Sequence, residues 1–408
     1  MHRSDGCQHF MRFIATPQLR QGVAVGRAGG LPIGGTRYAT LAASDAERVP
    51  LYPMTIRIAH VNLAHGYRGG ERQTELLIRE LARAGVRQVL VARRNGPLAE
   101  RFEDLDIEVR TVSANRLAIA KATRGVDLVQ VHEGRSVYSA YLRSLLSRTP
   151  YVLTRRVNNP IHNHWLAHRT YRRAAFVVAV ASQVAEVVSA FDPAIRLRVI
   201  YSASSGLSVD AARSAAIRKA FPGKLLVGHV GALDNKQKGQ EFIIQVAREL
   251  EETHPDIRFL LVGGGDDEAM LRKLAEGLHN LAFTGFVGNV GDYLAALDVF
   301  MLPSYKEGIG SILLDAMEQR LPIIASRVGG VPEIIHDGDN GILIEPARPD
   351  QLKAAVLRLH GQPELRRELG ANGERIARDY TAEVMGKRYL DLYRSVIEDD
   401  RSGRLSPQ

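Results

Sequence analysis

The sequence predicts an α/β protein built from two tandem, Rossmann-like, doubly wound domains that face each other across a cleft. From residue 56 onward, short apolar runs alternate with longer amphipathic segments, which is typical of βαβ units and parallel sheets. The alternation begins again near residue 225, after the loop-like stretch Ser202–Gly206 within a joint at 200–210. A chain of 408 residues, 45% of them hydrophobic, is also too long for one ordinary core and suits two.

The first series predicts strands rich in Val, Ile and Leu at 56–63, 88–92, 108–112, 127–132, 151–154 and 176–180. Helical spacing of apolar residues occurs between them at 70–84 and 136–146. The second series predicts strands at 225–230, 258–262, 281–284, 299–302, 322–325 and 341–344, with helices at 240–252, 268–277, 311–320 and 349–359. Open α/β sheets bind ligands at the carboxyl ends of their strands, so two facing sheets place a ligand in the cleft.

The pattern divides the chain into four segments. Residues 1–53 have no clean period, so we expect a disordered extension or a start codon assigned too early. The first domain is expected at 54–205 and the second at 206–380. A helix near 382–397, within the last segment 381–408, is expected to return to the first domain.

Composition excludes several protein classes. The single cysteine, Cys7, rules out an internal disulfide and a cysteine-based zinc site, and it suits a reducing compartment such as the cytoplasm. The longest uncharged apolar stretch, 174–182, has the length of a buried strand and is too short to cross a bilayer. We therefore expect no integral membrane segment.

The charge is unevenly distributed along the chain. Residues 54–200 contain 23 basic and 12 acidic side chains, whereas residues 201–408 contain 25 basic and 30 acidic ones. Aromatic residues make up only 6% and no nucleic-acid-binding motif is present, so we do not expect a nucleic acid partner. An anionic lipid surface or a phosphate-bearing acceptor fits the basic half, and a solvated face with no partner is the alternative.

The stretch 302–318 is the most informative one for chemistry. A predicted strand ends at Leu302, a glycine-containing loop follows, and a helix is expected to start near 310–311. Free backbone N–H groups at such a turn form an anion site suited to a diphosphate, here from Gly308, Ile309, Gly310 and Ser311. Glu307 and Asp315, eight residues apart, are carboxylates that can each accept hydrogen bonds from two sugar hydroxyls. The alternative interpretation is an ordinary strand–loop–helix turn with acidic residues.

This stretch resembles the E-x7-E signature of retaining glycosyltransferases of the GT-B fold, of the family 4 or group 1 type. Other stretches resemble the family in the same order and spacing, at 262–265, 283–287, 298–304, 322–334 and 337–344. The resemblance covers residues 56–393. It implies that Glu307 contacts the donor sugar near its reacting carbon and that Asp315 holds the ribose. It also implies that Gly285, Phe286 and Val287 meet the base, mainly through their main chain.

Two positions depart from the family pattern. The second acidic residue is usually Glu, so Asp315 has a shorter reach. The family also has an arginine where this chain has Ala232, in a loop that supplies two cations to the donor phosphates. Lys238, before Gly239, keeps the place of the family lysine, and Lys236 is a candidate for the missing charge. Lysine is a point charge and lacks the two-pronged geometry of a guanidinium.

The first domain offers its own candidates. Gly69 and Gly70 resemble the first glycine-rich loop of the family, which lies against donor and acceptor, and Arg68 is a candidate for an acceptor phosphate. His132 ends a predicted strand and matches a family histidine that hydrogen-bonds the donor sugar. The acceptor-binding candidates at strand ends on the same edge are Arg135, Arg155 and Arg156.

No metal site is expected from the sequence. The residues His162, His164 and His168 have a spacing that could bind a metal, but a further ligand is missing. Asp337-Gly338-Asp339 is interpreted as a turn, because it stands beside Asn340 and Gly341 and away from the strand ends.

The resemblance implies a metal-independent enzyme that needs no cofactor besides its donor substrate. It would transfer a sugar from a nucleoside diphosphate sugar to an acceptor hydroxyl with retention of configuration, in the synthesis of cell-envelope glycolipid, lipopolysaccharide or polysaccharide. The acceptor is expected to be an anionic lipid-linked molecule or glycan bound by the first domain. A location in the cytoplasm, in peripheral contact with the inner membrane, agrees with the charge. A nucleotide-sugar epimerase of the same fold and a non-catalytic sugar-nucleotide binder remain alternatives.

Overall fold

A computed structural model describes residues 56–113 and 115–404 of the chain. The expectation for residues 1–53 lies outside these residues. The described part contains two separate sheets, of seven and six strands, in which every neighbouring pair of strands is parallel. The predicted pair of doubly wound α/β domains is therefore confirmed.

The first sheet has the strand order β3-β2-β1-β4-β5-β6-β7. Its strands are β1 Arg57–Asn62, β2 Arg87–Arg93, β3 Glu108–Val112, β4 Leu128–Val131, β5 Tyr151–Arg155, β6 Phe176–Ala179 and β7 Leu197–Val199. The six predicted strands are all present. The seventh, β7, has only three residues at the edge of the sheet, two of them exposed, and so it lacks the apolar run that identified the others.

Helices cover both faces of the first sheet. They are α1 Gly69–Arg83, α2 Arg116–Ala122, α3 Val137–Ser147, α4 Trp165–Arg173 and α5 Ser182–Phe191. The sequence predicted α1 and α3, whose apolar residues repeat at helical spacing; in α1 these include the buried Leu77 and Leu81. The helices α2 and α4 were missed because they are short and rich in Arg and Ala.

The second sheet has the order β10-β9-β8-β11-β12-β13. Its strands are β8 Leu225–Val230, β9 Ile257–Val262, β10 Leu281–Gly285, β11 Val299–Leu302, β12 Ile323–Ser326 and β13 Gly341–Ile344. The helices of this part are α6 Ala211–Lys219, α7 Asn235–Lys238, α8 Gln240–Leu250, α9 Glu268–Leu274, α10 Val290–Ala296, α11 Ile312–Glu318, α12 Val331–Ile334, α13 Pro349–Gly361 and α14 Pro363–Ala377. All six predicted strands are present here too.

The last helix, α15 Ala382–Arg401, packs on the first sheet although it follows the second one in sequence. The Tyr389 hydroxyl lies 2.8 Å from the Thr154 hydroxyl on β5. The Tyr393 hydroxyl donates a 2.8 Å hydrogen bond to the Gln130 side chain on β4. Both tyrosine rings are fully buried, so α15 forms part of the core of the first domain.

Each sheet has one point where the strand order reverses, between β1 and β4 in the first and between β8 and β11 in the second. Ligands of doubly wound sheets bind at the carboxyl edge beside such points. The two domains meet near these edges. A Cβ atom on Gly69 would lie 3.5 Å from the Ser311 hydroxyl, and one on Gly330 would lie 2.5 Å from the Cβ atom of Ala181. The fold thus brings the loops of both carboxyl edges together.

Candidate active site

A lysine–glutamate pair lies where β8 and β11 end in the second domain. The Lys238 Nζ atom is 2.6 Å from the Glu307 Oε1 atom, and Ser304 donates a 2.7 Å hydrogen bond to the same oxygen. The side chain of Glu307 is only 8% exposed and that of Lys238 is 20% exposed. The pair is therefore a mostly desolvated, hydrogen-bonded ion pair with fixed geometry.

Backbone contacts between two loops place this pair. The Tyr305 amide donates a 2.8 Å hydrogen bond to the Gln237 carbonyl, which joins the loop after β11 to the helix α7. Gly239 has a φ of +64°, and a Cβ atom there would lie 2.4 Å from the Pro303 carbonyl oxygen. Only glycine fits this close approach, so Lys238-Gly239 is held directly against the loop that carries Glu307.

The loop after Glu307 presents unused backbone donors. Within 56–113 and 115–404, no residue accepts a hydrogen bond from the amides of Gly308, Ile309, Gly310 or Ser311. Ile309 and Gly310 are buried. Buried N–H groups are nearly always paired in folded proteins, so this loop is chemically suited to an anion. The amides lie beside the Lys238–Glu307 pair, in the sequence positions where the motif predicted a diphosphate site.

Asp315 lies inside the short helix α11 and faces the joint between the domains. Its carboxylate accepts a hydrogen bond from the Ser205 amide, and the residue is 5% exposed. Burial raises the pKa of Asp315 to about 7, and the neighbouring Glu318 charge adds to this shift while the Ser205 amide opposes it. The Asp315 carboxylate, which was predicted to hold a ribose, thus already accepts a hydrogen bond from the main chain that joins the two domains.

The other donor-binding candidates of the second domain lie at its rim. Phe286 follows the edge strand β10 and is 86% exposed, between Gly285 and the half-buried Val287. Lys236 is exposed, and within the described residues it has neither a hydrogen bond nor an ion pair. Ala232 uses its carbonyl to accept a 2.8 Å hydrogen bond from the Gln240 side chain. The exposed ring of Phe286 is available to stack on a planar group.

In the first domain, His132 forms a buried pair with His60, a residue that the sequence reasoning missed. The His60 Nδ1 and His132 Nε2 atoms are 3.0 Å apart, and the rings stack with centroids 5.3 Å apart. Burial lowers the pKa of His60 to about 3, and it lowers the pKa of His132 well below its usual value, with smaller effects from His60 and the Arg156 charge. Both rings are therefore neutral at physiological pH, and the His132 Nδ1 atom is buried without a partner.

The glycine loop of the first domain opens the helix α1 at the cleft. Gly69 faces Ser311, and Arg68 is exposed while its amide donates to the Glu71 carboxylate. Arg135 is exposed as well, in a short turn whose amide is bonded to Glu133. The fold therefore brings Gly69 to Ser311 of the 308–311 loop and Gly70 to Arg156, and it leaves Arg68 and Arg135 exposed.

The two neighbouring arginines after β5 differ in their surroundings. Arg155 turns into its own domain, where its guanidinium donates to the Asn159 carbonyl and to the Tyr171 hydroxyl. Arg156 faces the second domain, and its carbonyl oxygen would lie 2.1 Å from a Cβ atom on Gly308. From the sequence, Arg155 and Arg156 were equally good candidates for binding the acceptor. Only the contacts between domains distinguish them.

The histidine group 162–168 has structural partners. His164 caps α4 by accepting a hydrogen bond from the Ala167 amide, and His168 bonds to Asp192 and Asn163. Within the described residues, no group of three or more potential ligands is placed to hold a metal ion. Asp337 and Asp339 lie in a turn in which Gly338 has a φ of +79°.

Two further residues at the cleft lie within family-like stretches but were not singled out from the sequence. Ser304 supports Glu307, and Glu333 on α12 accepts hydrogen bonds from the Ser182 and Gln183 amides and from the Tyr201 hydroxyl. Glu333 stands within one of the family-like stretches, but its partners lie about 150 positions away. Such contacts follow only from the packing of the domains.

Similarity to known families agrees with this arrangement. Residues 67–203 match the family model described as Glycosyltransferase Family 4, and residues 212–376 match the one described as Glycosyl transferases group 1. An alpha-D-kanosaminyltransferase of Streptomyces kanamyceticus is 32% identical over 290 residues, which are 67% of this chain and 71% of the relative. An N-acetyl-alpha-D-glucosaminyl L-malate synthase of Bacillus anthracis is 31% identical over 186 residues, 45% of this chain and 48% of that relative.

Solved structures resemble the fold at lower sequence identity. HepE of Anabaena, in complex with UDP-glucose, has a TM-score of 0.75 at 19% identity and covers 83% of this chain and 100% of its own. The sucrose-phosphate synthase of Thermosynechococcus elongatus has a TM-score of 0.70 at 19% identity and covers 84% and 99%. Both the family matches and the paired parallel sheets lead to one assignment: the chain belongs to the group 1 glycosyltransferases of the GT-B fold.

Proposed function

We propose that the protein transfers a sugar from a nucleoside diphosphate sugar to an acceptor hydroxyl, with retention of the anomeric configuration and without a metal ion. The observation that carries this proposal is the row of unused amides at 308–311 beside the Lys238–Glu307 ion pair. These groups supply preorganised donors and a cation at one place, which is what a departing diphosphate requires.

In the proposed reaction, the bond between the anomeric carbon and the phosphate oxygen breaks and its electron pair stays on the diphosphate. The 308–311 amides and Lys238 stabilise that charge. Glu307 and His132 orient the sugar, and the neutral His132 has its Nδ1 atom available for a sugar hydroxyl. The acceptor oxygen attacks from the side of the leaving diphosphate, which takes up the hydroxyl proton.

The donor is proposed to be a nucleoside diphosphate sugar, both from the chemistry of the site and from what related proteins bind or use. HepE binds UDP-glucose, and a relative from Corynebacterium glutamicum, 30% identical over 170 residues, is a GDP-mannose-dependent mannosyltransferase. Both are nucleoside diphosphate sugars. Contacts from the main chain and from the exposed ring of Phe286 do not distinguish a uracil base from a guanine base.

The acceptor is proposed to be an anionic glycolipid, lipopolysaccharide or polysaccharide precursor bound by the basic first domain, at the cytoplasmic face of the membrane. Support comes from the 23 basic and 12 acidic residues of 54–200 and from the exposed Arg68 and Arg135 on the cleft rim.

A donor screen followed by one variant tests the proposal. We expect UDP-, GDP- or ADP-sugars to raise the melting temperature, since a ligand that binds only the folded state stabilises it. With the donor that binds, Glu307→Gln should lower kcat by about a hundredfold or more while nucleotide affinity changes little. The exposed Glu276→Gln, which changes the same chemical group elsewhere on the second domain, serves as the control.

Three results contradict the proposal in different ways. Interconversion of the donor sugar without an acceptor identifies an epimerase. Weaker nucleotide binding in Glu307→Gln, with no turnover in the wild type, identifies a binder. The absence of a thermal shift with every nucleotide sugar removes the donor site itself.

A further inference from the structure

Arg156 lies at a close contact between the two domains. Its main chain abuts Gly308, where a Cβ atom would come within 2.1 Å of the Arg156 carbonyl oxygen. Its side chain runs past the glycine loop of the first domain, with the Cδ atom 3.6 Å from the position of a Cβ atom on Gly70. Arg156 therefore stands between the 308–311 loop and the Gly69-Gly70 loop.

The guanidinium of Arg156 is not neutralised by a partner within the described part of the chain. It takes part in no hydrogen bond or ion pair there, and its Nε atom is buried without an acceptor. Burial lowers the pKa of Arg156, and the Glu71 carboxylate opposes this only by longer-range attraction. Arg156 is half-buried, and a cation held at a domain joint with a buried Nε atom that has no acceptor is costly; an anion bound beside it would offset that cost.

The second domain, in contrast, is short of cations for a diphosphate. Ala232 replaces the arginine of the family, Lys238 is already paired with Glu307 at 2.6 Å, and Lys236 extends into solvent. The 308–311 amides are dipoles and carry no net charge. A diphosphate in this loop would thus lack a guanidinium from its own domain.

We propose that Arg156 binds the donor diphosphate from the first domain and supplies the cation that is missing at Ala232. This inference rests on the proposed function, because it concerns the same diphosphate. The planar guanidinium can donate two parallel hydrogen bonds to phosphate oxygens and stabilise the charge left when the sugar–phosphate bond breaks. Arg156 is then a catalytic residue that makes diphosphate binding a contact shared by both domains.

Nucleotide binding without acceptor tests this assignment. The probes are UDP, GDP and ADP, titrated by calorimetry into the wild type, Arg156→Met and Arg156→Lys. We expect Arg156→Met to weaken binding of the nucleoside diphosphate by about tenfold or more, because charge-assisted hydrogen bonds to the phosphate oxygens are lost. Arg156→Lys should restore part of that affinity. Affinity for the free nucleoside should stay unchanged, since it has no phosphate.

Melting without ligand separates binding from structure. Removal of an unpaired, half-buried charge should leave the melting temperature of Arg156→Met unchanged or raised, whereas a structural role would lower it. Arg143→Met is the matched control, since Arg143 also has a buried Nε atom without a partner and a pKa lowered by burial, but it lies on α3. It should not alter nucleotide affinity.

A double variant that moves the guanidinium from the first domain to the second provides a further test. Adding Ala232→Arg to Arg156→Met should restore most of the lost affinity, because it returns a guanidinium to the same diphosphate from the opposite domain. An Arg156→Met protein that binds the nucleoside diphosphate as tightly as the wild type overturns this inference alone. The same holds if only inorganic phosphate or an acceptor is bound more weakly. If the wild type binds none of the three nucleotides, the proposed function fails together with it.

Discussion

At the scale of single residues, Asp315 gives the protein a distinctive pH response. Burial raises its pKa from the ordinary 3.8 to about 7. Between these values the folded state holds a proton that the unfolded state has released, so stability falls as the pH rises from 4 to 7. Above pH 7 the carboxylate is ionised in both states and the penalty, on the order of 4 kcal/mol, is complete.

The variant Asp315→Asn tests this pH response. The amide oxygen still accepts from Ser205, but no charge is buried, so the variant should gain stability over the wild type between pH 4 and pH 7 and keep that gain at pH 8. Urea unfolding across this pH range measures it. The exposed Asp106→Asn serves as the control. An equal difference at pH 4 and pH 8 would show that the pKa of Asp315 is not raised in the folded protein.

The resemblance to the family placed Lys238, Glu307 and the 308–311 loop at one predicted diphosphate site. The structure adds their ion pair and the unused amides. The burial of Asp315 was beyond prediction, since it depends on Ser205, 110 positions away. The contact between His60 and His132 joins β1 to the end of β4. It could not be predicted without knowing that these two strands are neighbours in the sheet.

At the scale of elements, the helix α5 is capped from the other domain. Its own N-cap residue, Ala181, has no side chain that could accept from the first amides. The Glu333 carboxylate accepts from the Ser182 and Gln183 amides instead, at 2.9 and 3.2 Å. Burial acts against ionisation, but these hydrogen bonds and that from Tyr201 hold the pKa of Glu333 below its usual range.

We expect Glu333→Ala to destabilise the protein by about 1–2 kcal/mol at pH 7, because the cap and its favourable interaction with the helix dipole are lost. The effect should be present above the ordinary pKa of 4.5 and shrink as the pH falls through the lower pKa of the folded state. Urea unfolding measures it, with the exposed Glu368→Ala as the control. A variant as stable as the wild type at pH 7 would show that the cap contributes nothing.

Strands were easier to predict than helices in this chain. Buried parallel strands are continuous apolar runs, and all twelve predicted ones are present. Short helices such as α2, α10 and α12 have few turns in which a period can repeat. The start of α5 depends on a cap, Glu333, that a distant part of the chain provides. The fold class was therefore predictable while several of its helices were not.

At the scale of the whole molecule, the basic charge of the first half has a physical counterpart on the surface. The helices α2 and α3 pack side by side. They expose Leu117, Leu145 and Leu146 together with Arg116 and Lys121. Exposed apolar side chains among cations are suited to the interface of an anionic bilayer. Within the described residues, no helix has an apolar stretch long enough to cross a membrane.

Flotation with vesicles measures this contact. We expect the protein to float with phosphatidylglycerol vesicles at low salt, to be released at about 0.5 M NaCl by charge screening, and to stay behind with neutral phosphatidylcholine vesicles. Failure to float with the anionic vesicles at low salt would rule out the proposed membrane contact.

Because α15 completes the core of the first domain, that domain cannot finish folding when its own sequence has been synthesised, but only after the end of the chain has been made. Tyr389, Tyr393 and Val396 complete a core whose other half consists of Leu77, Leu128 and neighbouring residues of the first domain. During translation, those apolar side chains emerge some 250 residues before their covering does, as the 263 positions between Gln130 and Tyr393 illustrate. The amino-terminal domain thus leaves the ribosome with an open hydrophobic face, on which a chaperone can act until synthesis of the last helix is finished.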